Sequence, residues 1–493
     1  MASPFDGISS KDGAIIIGGG FGGAAAAVAL HKVGVPCIAL EKSRHARSEG
    51  FSIGTSTNGW RALDELGIGD ELRSEHLSIE SFTFCNPSGG VLTNIEFKDC
   101  PPPPHRPDHE LRVVMREAIP RLLTKQLPPG AVHYDAGVTD VTATPSGKGN
   151  LLLYTTFGAS FPGTMKHHCQ PVIFQRTLDL PRCNTTSRTS DTTCQDGAEV
   201  TLEDGRKLQC RFAVLADGVH SKVAAKLHRA KLEFMNDVAW RAITEIDSEE
   251  LMHPEGVFGQ GNGIRIGFFP VKYDAARKKA LYYWFFACGD RNDEDFGDPE
   301  QQKKTMQRMV KGWTIGPFQQ LLEATPPNKM KISKIYQRQV VAGQPWFDGC
   351  ITGVGDACHA TTPFLGQGGA IALESGVELG VFMKEAMQAA GGVPFAKLAP
   401  EAICAALRKY ETVRSERVAL IIKKSAWVGR GIRRSNALAW FVMGALKRFG
   451  LLKAFPLNSD TIVDHTFWEP SGSLNDADVP SRPVAEKAQH AEE

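Results

Sequence analysis

The spacing of hydrophobic and polar residues near the start of the chain predicts a strand, a helix and a second strand in succession. Residues 14–17 form a short apolar run, residues 24–32 have a helical pattern, and residues 35–41 form an apolar run that ends in a carboxylate. The segment between the first strand and the helix, residues 18–23, is almost entirely glycine. This order predicts a βαβ unit in which a glycine-rich turn joins a strand to a helix.

Two later apolar runs are also expected to be strands. Residues 212–216 lead into Asp217-Gly218, and residues 350–354 lead into the glycine-rich stretch 353–376. An ordinary strand-to-helix turn explains the first of these loops as well, when it is taken alone.

Helical patterns follow in several places. A helix over residues 108–128 would place Arg112 and Arg116, which are four positions apart, on one face. Further helical patterns lie at residues 299–324, 369–389 and 399–452.

Residues 238–284 have a different character. The runs VAWRAITEI, GIRIGFFPVKY and KALYYWFFACG are rich in β-branched and aromatic residues, which favours an antiparallel sheet in a second lobe.

Composition narrows the class of protein. A chain of 493 residues is too long for one ordinary core, so we expect two domains or one two-lobed unit. The net charge of +1 gives no basic field for nucleic acid. The 11 cysteines form no CxxC pair, which argues against zinc and favours a reducing compartment. No metal site is therefore expected. With no visible signal peptide, we expect a soluble, cytoplasmic protein.

The glycine-rich turn fits a dinucleotide site. Gly18 allows a tight turn, Gly20 lets backbone approach a pyrophosphate, and Gly23 lets the helix pack closely on the strand. Glu41 follows at close to the spacing of about 20 residues expected for an acid on ribose hydroxyls. The alternative is a glycine-rich turn with only a packing role.

Together, the GxGxxG turn with Glu41, the Asp217-Gly218 loop and the segment GDACHATTPFLGQGG resemble the FAD-dependent aromatic-ring hydroxylases, the group A flavoprotein monooxygenases. The runs ELRVVMREAI and GDACHATTPFLGQGG are most similar to the plant-type branch near zeaxanthin epoxidase. The resemblance covers about residues 13–430, apart from residues 149–197. It implies an α/β fold, with a Rossmann-type, glutathione-reductase-like FAD-binding domain, an antiparallel β-sheet substrate domain and C-terminal helices.

The resemblance also implies that the flavin carries the chemistry, so that no side chain is assigned as catalytic. Asp356 would accept hydrogen bonds from the ribityl chain, and residues 363–369 would bring bare backbone to the flavin ring. We read His359 as structural. The residues expected to bind the cofactor are Gly18, Gly20, Gly22, Gly23, Glu41, Lys42, Arg112, Arg116, Asp217, Gly218, Gly355, Asp356, Pro363, Gly366, Gln367, Gly368 and Gly369.

The implied reaction uses NAD(P)H as co-substrate and O2 to form a flavin C4a-hydroperoxide, which inserts one oxygen atom into an electron-rich aromatic or alkene substrate. Arg241 and Arg265 are candidate contacts for a polar substrate group. A monomer or homodimer with a small-molecule substrate is expected, and NADH and NADPH are not distinguished. The expected pocket wall is Trp240, Phe268, Phe269, Tyr283 and Trp284.

The expected domains are discontinuous. Residues 149–197 interrupt what reads as a β-hairpin and are expected to be an insertion, with an active-site lid as the alternative. The tail from residue 471 is polar and is expected to be disordered. The remaining boundaries are 1–80, 105–148, 198–230 and 340–398 for the FAD-binding domain, 81–104 and 231–339 for the substrate domain, and 399–470 for the C-terminal helices.

Four alternatives remain open. They are an NAD(P)-dependent dehydrogenase, another kind of FAD/NAD(P)-dependent oxidoreductase, a flavin halogenase, and a non-catalytic escort or GDP-dissociation-inhibitor-like protein. A bound yellow flavin would decide against the dehydrogenase, and the absence of flavin from pure protein would favour the escort protein. The basic and apolar stretch at residues 430–455 could also lie on a membrane surface, although packing on the protein is favoured.

Overall fold

The structure is a computed structural model that describes residues 12–46, 51–100, 102, 109–145, 195–249, 253–290, 297–434 and 468–475. The strands are β1 (Ala14–Ile17), β2 (Cys37–Leu40), β3 (Ser52–Thr55), β4 (Ser81–Cys85), β5 (Val91–Glu96), β6 (Arg112–Met115), β7 (Val132–His133), β8 (Val138–Pro145), β9 (Gln195–Leu202), β10 (Lys207–Cys210), β11 (Phe212–Leu215), β12 (Leu232–Asp247), β13 (Glu255–Gly261), β14 (Ile264–Asp274), β15 (Lys279–Gly289), β16 (Lys331–Arg338) and β17 (Ile351–Gly353). The helices are α1 (Phe21–Lys32), α2 (Thr57–Glu65), α3 (Gly69–Glu75), α4 (Ala118–Lys125), α5 (Lys222–Leu227), α6 (Pro299–Met309), α7 (Phe318–Ala324), α8 (Asp356–His359), α9 (Gly368–Ala389) and α10 (Pro400–Arg434).

A parallel sheet with the strand order β17-β11-β1-β2-β7 forms the base of the site. Its three neighbouring strands β1, β11 and β17 are in register at their carboxyl ends, where Ile17 pairs with Leu215 and Leu215 pairs with Gly353. The loop that follows each strand therefore leaves the same edge of the sheet. In such α/β folds, ligands bind outside the carboxyl ends of the strands.

Helix α9 packs closely against α1 because small residues meet at the crossing. A Cβ atom placed on Gly376 would lie 2.6 Å from Cβ of Ala25, and one placed on Gly380 would lie 2.9 Å from Cβ of Ala29. Both distances are shorter than real Cβ contacts allow. The glycines of α9 and the alanines of α1 thus bring together the helices that begin at two of the ligand-facing loops.

A seven-stranded sheet, β16-β12-β15-β14-β13-β4-β5, forms the second layer. Its pairs are antiparallel except for β13 with β4, which is parallel. One face packs under α6 and α7 around the buried residues Trp240, Trp284 and Phe318. The opposite face turns toward the parallel sheet. The expected fold class, an α/β protein with an FAD-binding fold, an antiparallel sheet and helices, is confirmed.

The expected helix over residues 108–128 is wrong in its first half. Residues 112–115 form β6, which pairs with β3, and the helix α4 begins only at Ala118. Val113 and Val114 are both buried, and two consecutive buried apolar residues are compatible with a strand as well as with a helix. Arg112 and Arg116 therefore do not share a helical face.

The hairpin expected around the 149–197 segment is present. Strands β8 and β9 pair antiparallel from Val138–Leu202 to Pro145–Gln195. The two chain ends that flank residues 146–194 are thus adjacent. The remainder of the expected insertion lies outside the described residues.

The chain near residue 471 is packed, so the expected disorder is wrong for residues 471–475. Leu474 is buried beside Gly380 of α9, and Oε1 of Glu378 accepts a hydrogen bond from the backbone N–H of Ser471 at 3.2 Å. The residues beyond 475 and the membrane-surface candidate at 435–455 lie outside the described part of the chain. Within that part, no helix has the length and apolar character needed to cross a bilayer.

Candidate active site

A cavity of about 630 Å3 lies between the two sheets. Its lining includes the turn after β1, the loops after β11 and β17, parts of β3 and β6, and the open face of the seven-stranded sheet. The three motifs that sequence reasoning singled out thus meet at one space, which the aromatic sheet closes on the other side.

The glycine-rich turn after β1 fits a phosphate-bearing ligand. Gly18 has a φ of +107°, which favours glycine, and a Cβ on Gly23 would lie only 1.9 Å from the carbonyl oxygen of Gly18. By contrast, no atom lies within 4 Å of a Cβ built on Gly20. The turn is therefore tight on its protein side and open toward the cavity, at the N-terminus of α1 where anions are stabilised. Gly22 lies between them and packs on Val354.

Glu41 is buried at the end of β2 and holds the glycine turn in place. Its Oε2 accepts a hydrogen bond of 2.8 Å from the N–H of Gly19, and its Oε1 accepts two from Ser43, at 3.0 Å from the N–H and 2.8 Å from Oγ. Neither Glu41 nor the exposed Lys42 is among the residues that line the cavity. The Glu41 carboxylate thus helps to fix the shape of the turn. Its spacing from the glycines did not indicate this role.

Asp356 presents a carboxylate to the cavity. It follows Gly355, which has a φ of +65°. The Asp356 side chain is exposed only to the cavity, and protein atoms surround the cavity at this point. Because this enclosure removes solvent, the pKa of Asp356 is raised, although the charge of Arg116 opposes the shift. No residue in the described part of the chain donates a hydrogen bond to this carboxylate. A ligand with hydroxyl groups would fill that need.

Arg116 is the candidate arginine that reaches the cavity. Its guanidinium carbon lies 5.1 Å from the ring centre of Phe51 and 5.6 Å from that of Phe21. Arg112 points elsewhere: its Nη1 donates a 2.6 Å hydrogen bond to the carbonyl of His76, and its Nε bonds Glu110 at 3.1 Å. Arg112 does not line the cavity, so the structure separates two arginines that the sequence grouped together.

The loop at residues 363–369 is open where a flat ring could approach. Gly366 has a φ of +65° and has no atom within 4 Å of a built Cβ. Gly368 meets nothing closer than Cγ2 of Thr361 at 3.9 Å, and its φ is not positive. Gly369 needs glycine for a different reason, because a Cβ there would lie 2.3 Å from Cδ1 of Ile53. Pro363 lines the cavity as well.

Gln367 is the exception in this loop, because its side chain is buried and points into the protein. Its Nε2 donates to Oγ of Ser56 at 2.8 Å, and its Oε1 accepts from Nδ2 of Asn58 at 2.8 Å. Asn58 also donates to Oε1 of Glu374 at 2.5 Å. The glutamine thus anchors the loop to α2 and does not itself contact the cavity.

Glu374 is the centre of a buried ion network that sequence reasoning missed. Arg417 approaches it at 2.6 Å and Arg414 at 2.9 Å. Burial alone would raise the pKa of Glu374, but the charges of Arg417 and Arg414 outweigh it, helped by hydrogen bonds from Arg417 and Asn58, and lower it to about 2. The carboxylate is therefore ionised, and it ties α10 to α9 behind the loop.

The loop after β11 contributes backbone. Gly218 lines the cavity with a φ of +89°, whereas Asp217 does not line it. Burial raises the pKa of Asp217, although a hydrogen bond with Ser221 opposes the shift. Its Oδ1 is buried without a partner in the described part of the chain. The loop thus presents the backbone of Gly218 to the cavity, whereas the carboxyl group of Asp217 does not line it.

His359 lies beneath the site and does not line the cavity. Its ring is buried, and Nε2 lies 2.9 Å from Oγ of Ser375. Burial, followed by the charge of Arg414, lowers its pKa to about 3. A neutral, buried imidazole agrees with our structural interpretation of this residue.

The expected aromatic wall is correct for two residues and wrong for three. Phe269 and Tyr283 line the cavity, whereas Trp240, Phe268 and Trp284 lie on the face under α6 and α7. Successive residues of a strand point to opposite faces, so a run such as FF or YYWFF supplies both faces at once. The cavity face also includes Phe82, Phe84, Phe97, Phe258 and Phe285, which sequence reasoning missed.

Two glycines make room for these rings. A Cβ on Gly267 would lie 2.3 Å from Cε1 of Phe285, and a Cβ on Gly256 would lie 2.7 Å from Cε1 of Phe269. The rings therefore lie across glycine positions on neighbouring strands, which produces a broad apolar floor suited to a flat ligand.

Both candidate substrate arginines line the cavity. Arg241 donates a hydrogen bond to Oγ of Ser333 and lies 5.3 Å from the ring centre of Phe51. Burial raises the pKa of Tyr283, and the charge of Arg241 and its hydrogen bond oppose that shift. Arg265 forms an ion pair with Asp237.

Comparison with known proteins agrees with this geometry. The family model described as FAD binding domain matches residues 12–129 and 182–393. This match covers more than half of the chain, so the chain belongs to the FAD-binding-domain family. The unmatched residues between the two parts overlap the expected insertion.

Named relatives point to one class within that family. The chain is 25% identical to Monooxygenase 2 of Arabidopsis thaliana over 392 residues, which covers 76% of this chain and 77% of the relative. It is 31% identical to the chloroplastic zeaxanthin epoxidase of Oryza sativa subsp. japonica over 236 residues, 46% of this chain and 33% of that protein. The fold is similar to that of a Klebsiella pneumoniae protein crystallised with FAD and uric acid, with a TM-score of 0.65, 21% identity, and coverage of 91% and 96%.

The expected class is thereby confirmed: the chain is a FAD-dependent monooxygenase, an oxidoreductase of the group A type. FAD as its cofactor is supported by the family and by structural neighbours that contain it. The assignment of individual residues to that cofactor stays a prediction.

Proposed function

We propose that the chain uses NAD(P)H and O2 to insert one oxygen atom into an electron-rich, planar aromatic or alkene substrate. The observation that carries this proposal is the continuity of one cavity from the open glycines of the flavin-type loops to an aromatic floor. A cofactor and a substrate would share this space and could be in contact.

The residues fit FAD. Gly20 and Gly368 leave open space where a pyrophosphate and a flat ring are expected. Asp356 faces the cavity, and none of the residues that the structure describes donates a hydrogen bond to its carboxylate. The first N–H groups of α9 have no acceptor within the helix and can stabilise negative charge next to Gly368. Bound FAD would supply the redox chemistry, by taking electrons from NAD(P)H and activating O2.

The chain's own residues would orient the reactants and exclude water. Asp356 would hold a polyol chain by accepting hydrogen bonds, and Gln367 would keep the loop in place from behind. Phe258, Phe269 and Phe285 would cover one face of the substrate. A dry and rigid site would favour oxygen transfer over release of peroxide.

Related proteins support a small organic substrate. Among them are enzymes named for urate hydroxylation and for zeaxanthin epoxidation, so both a heterocycle and an alkene occur as substrates in this group.

We also propose that the chain divides into the FAD-binding and substrate domains set out above.

The test begins with purified protein, its flavin content, and its oxidation of NADH and NADPH. Candidate compounds should be screened for faster NAD(P)H oxidation, and the products for a mass gain of about 16 Da, one oxygen atom. A stimulated rate with that gain is the expected result. Stimulated oxidation that yields only H2O2, across a broad panel of aromatic and alkene compounds, would argue against oxygen insertion.

A further inference from the structure

One end of the aromatic cavity is formed by a buried ion pair. Nη2 of Arg265 lies 2.7 Å from Oδ1 of Asp237, and the two side chains are only 11% and 4% exposed. Both residues line the cavity. The guanidinium carbon of Arg265 also lies 5.6 Å from the ring centre of Phe364 in the loop at residues 363–369. The pair is therefore adjacent to both the substrate floor and the flavin-type loop.

The strand between the two partners explains how they meet. Asp237 is on β12 and Arg265 is on β14, with β15 between them. Opposite them, β15 carries Gly289 and Ala287, so no bulky side chain blocks the path of the arginine. Earlier on the same face, β15 carries Phe285. Along β15 the floor thus changes from an aromatic ring to small residues, and the ion pair between β12 and β14 lies beside these small residues.

The charges of this pair favour a particular kind of ligand group. Asp237 neutralises Arg265, so a ligand carboxylate would gain an arginine and meet a like charge at the same time. A carboxylate can accept about four hydrogen bonds and a guanidinium can donate about five, so the members of a salt bridge can each bond a further group. A neutral group with an N–H beside a carbonyl can donate to Asp237 and accept from Arg265 together.

Arg241 offers the contrast. Its polar contacts are with the hydroxyls of Ser333 and Tyr283, and no carboxylate pairs with it in the described part of the chain. An anionic substrate group would be expected at such an arginine. The two arginines of the floor therefore predict opposite ligand preferences, which makes them experimentally separable.

We propose that Asp237 and Arg265 form the recognition site for a neutral, planar heteroaromatic substrate that carries an N–H next to a carbonyl, as in a lactam ring. This inference rests on the proposed function, because it names the substrate class of the same cavity. The aromatic part of such a ligand would lie on Phe258 and Phe285, whose ring centres are 6.3 Å apart.

The test uses three bicyclic probes: 2-quinolinone, its N-methyl derivative, and 2-naphthoate. Their binding to the FAD-loaded protein would be measured by calorimetry. We expect 2-quinolinone to bind at least about tenfold more tightly than its N-methyl derivative, because only 2-quinolinone satisfies both members of the pair. Equal binding of these two probes would overturn the proposal; 2-naphthoate, whose carboxylate Arg241 can also hold, serves to follow the change of charge in the variants below.

Asp237→Asn gives a second, opposite-signed test. It leaves Arg265 without its counter-ion, so affinity for 2-quinolinone should fall at least about tenfold and affinity for 2-naphthoate should rise. The matched control is Asp247→Asn on the same strand, where Asp247 is exposed and pairs with Lys279 at 2.7 Å; it should change neither affinity. An unchanged preference in Asp237→Asn would contradict the proposed role.

If Asp237→Asn does not fold, the double variant with Arg265→Gln removes both buried charges together. It should lose the preference for 2-quinolinone over its N-methyl derivative, without gaining affinity for 2-naphthoate; a retained preference would refute the inference.

Flavin content and NAD(P)H-dependent O2 consumption, measured on the same preparations, separate this inference from the proposed function. A lactam preference without any such oxidation would refute the proposed function alone, and oxidation without the preference would refute this inference alone.

Discussion

Asn58 on α2 and Gln367 at the start of α9 are joined by a buried hydrogen bond of 2.8 Å, although they are 309 positions apart in the chain. The same Asn58 amide also bonds Glu374, and Gln367 bonds Ser56. The cavity-facing glycines on either side of Gln367 therefore depend on a polar anchor behind them. This anchor explains how a loop of small residues can keep a defined shape.

Removing the anchor should weaken cofactor binding more than folding. Gln367→Ala loses the bonds to Ser56 and Asn58, each contributing about 1 kcal/mol, so FAD affinity should fall roughly tenfold. FAD titration of the apoprotein measures this. The control is Gln388→Ala at an exposed position on the same helix, which should bind FAD like the parent. If Gln367→Ala lowers only the melting temperature, the loop does not depend on this anchor.

Gly368→Val should obstruct the flavin and leave the fold intact. A Cβ at this position meets nothing closer than 3.9 Å, and since the φ is not positive, no backbone strain is added. The branched side chain would project into the cavity. We expect a normal circular dichroism spectrum with lower flavin occupancy or more H2O2 per NAD(P)H oxidised.

The matched control for this change is Ala389→Val, at an exposed position at the C-terminal end of the same helix. It should keep parental occupancy. Full flavin content with parental coupling in Gly368→Val would show that the loop does not contact the ring.

The β8–β9 hairpin should tolerate a short turn in place of residues 146–194. Pro145 and Gln195 pair directly, so an Asn-Gly turn can join them without moving either strand. We expect soluble protein with parental flavin content and melting temperature. Insoluble protein would show that the segment is needed for folding, whereas folded protein with lost turnover would favour the lid alternative.

The Glu374 network should show a specific pH dependence. Its folded pKa of about 2 is below the ordinary 4.5, so its ionisation stabilises the fold above pH 4.5, and this contribution is lost as the pH falls toward 2. The shift corresponds to about 3 kcal/mol. Glu374→Gln should therefore melt well below the parent at pH 6, and the gap should shrink by roughly half between pH 5 and pH 3. A gap that is constant with pH would contradict an ionised Glu374.

The sequence predicted the three loops because each is a local pattern: an apolar strand followed by glycine or Asp-Gly. Their meeting at one edge then follows from the parallel sheet. It could not predict the face of the aromatic strands, because GFFP and YYWFF carry apolar residues on both faces. The pattern of residues 108–128 predicts a helix where β6 forms, because two consecutive buried valines fit either period. The Asn58–Gln367 bond is a tertiary contact, and no local pattern signals it.

The central claim, that these loops together seat the flavin, is tested most directly by a crystal structure of the protein purified with FAD. We predict that the ring lies against the backbone of residues 366–369 and that a ribityl hydroxyl lies within about 3.2 Å of the Asp356 carboxylate. FAD bound elsewhere, or a ribityl chain that does not reach Asp356, would contradict the account.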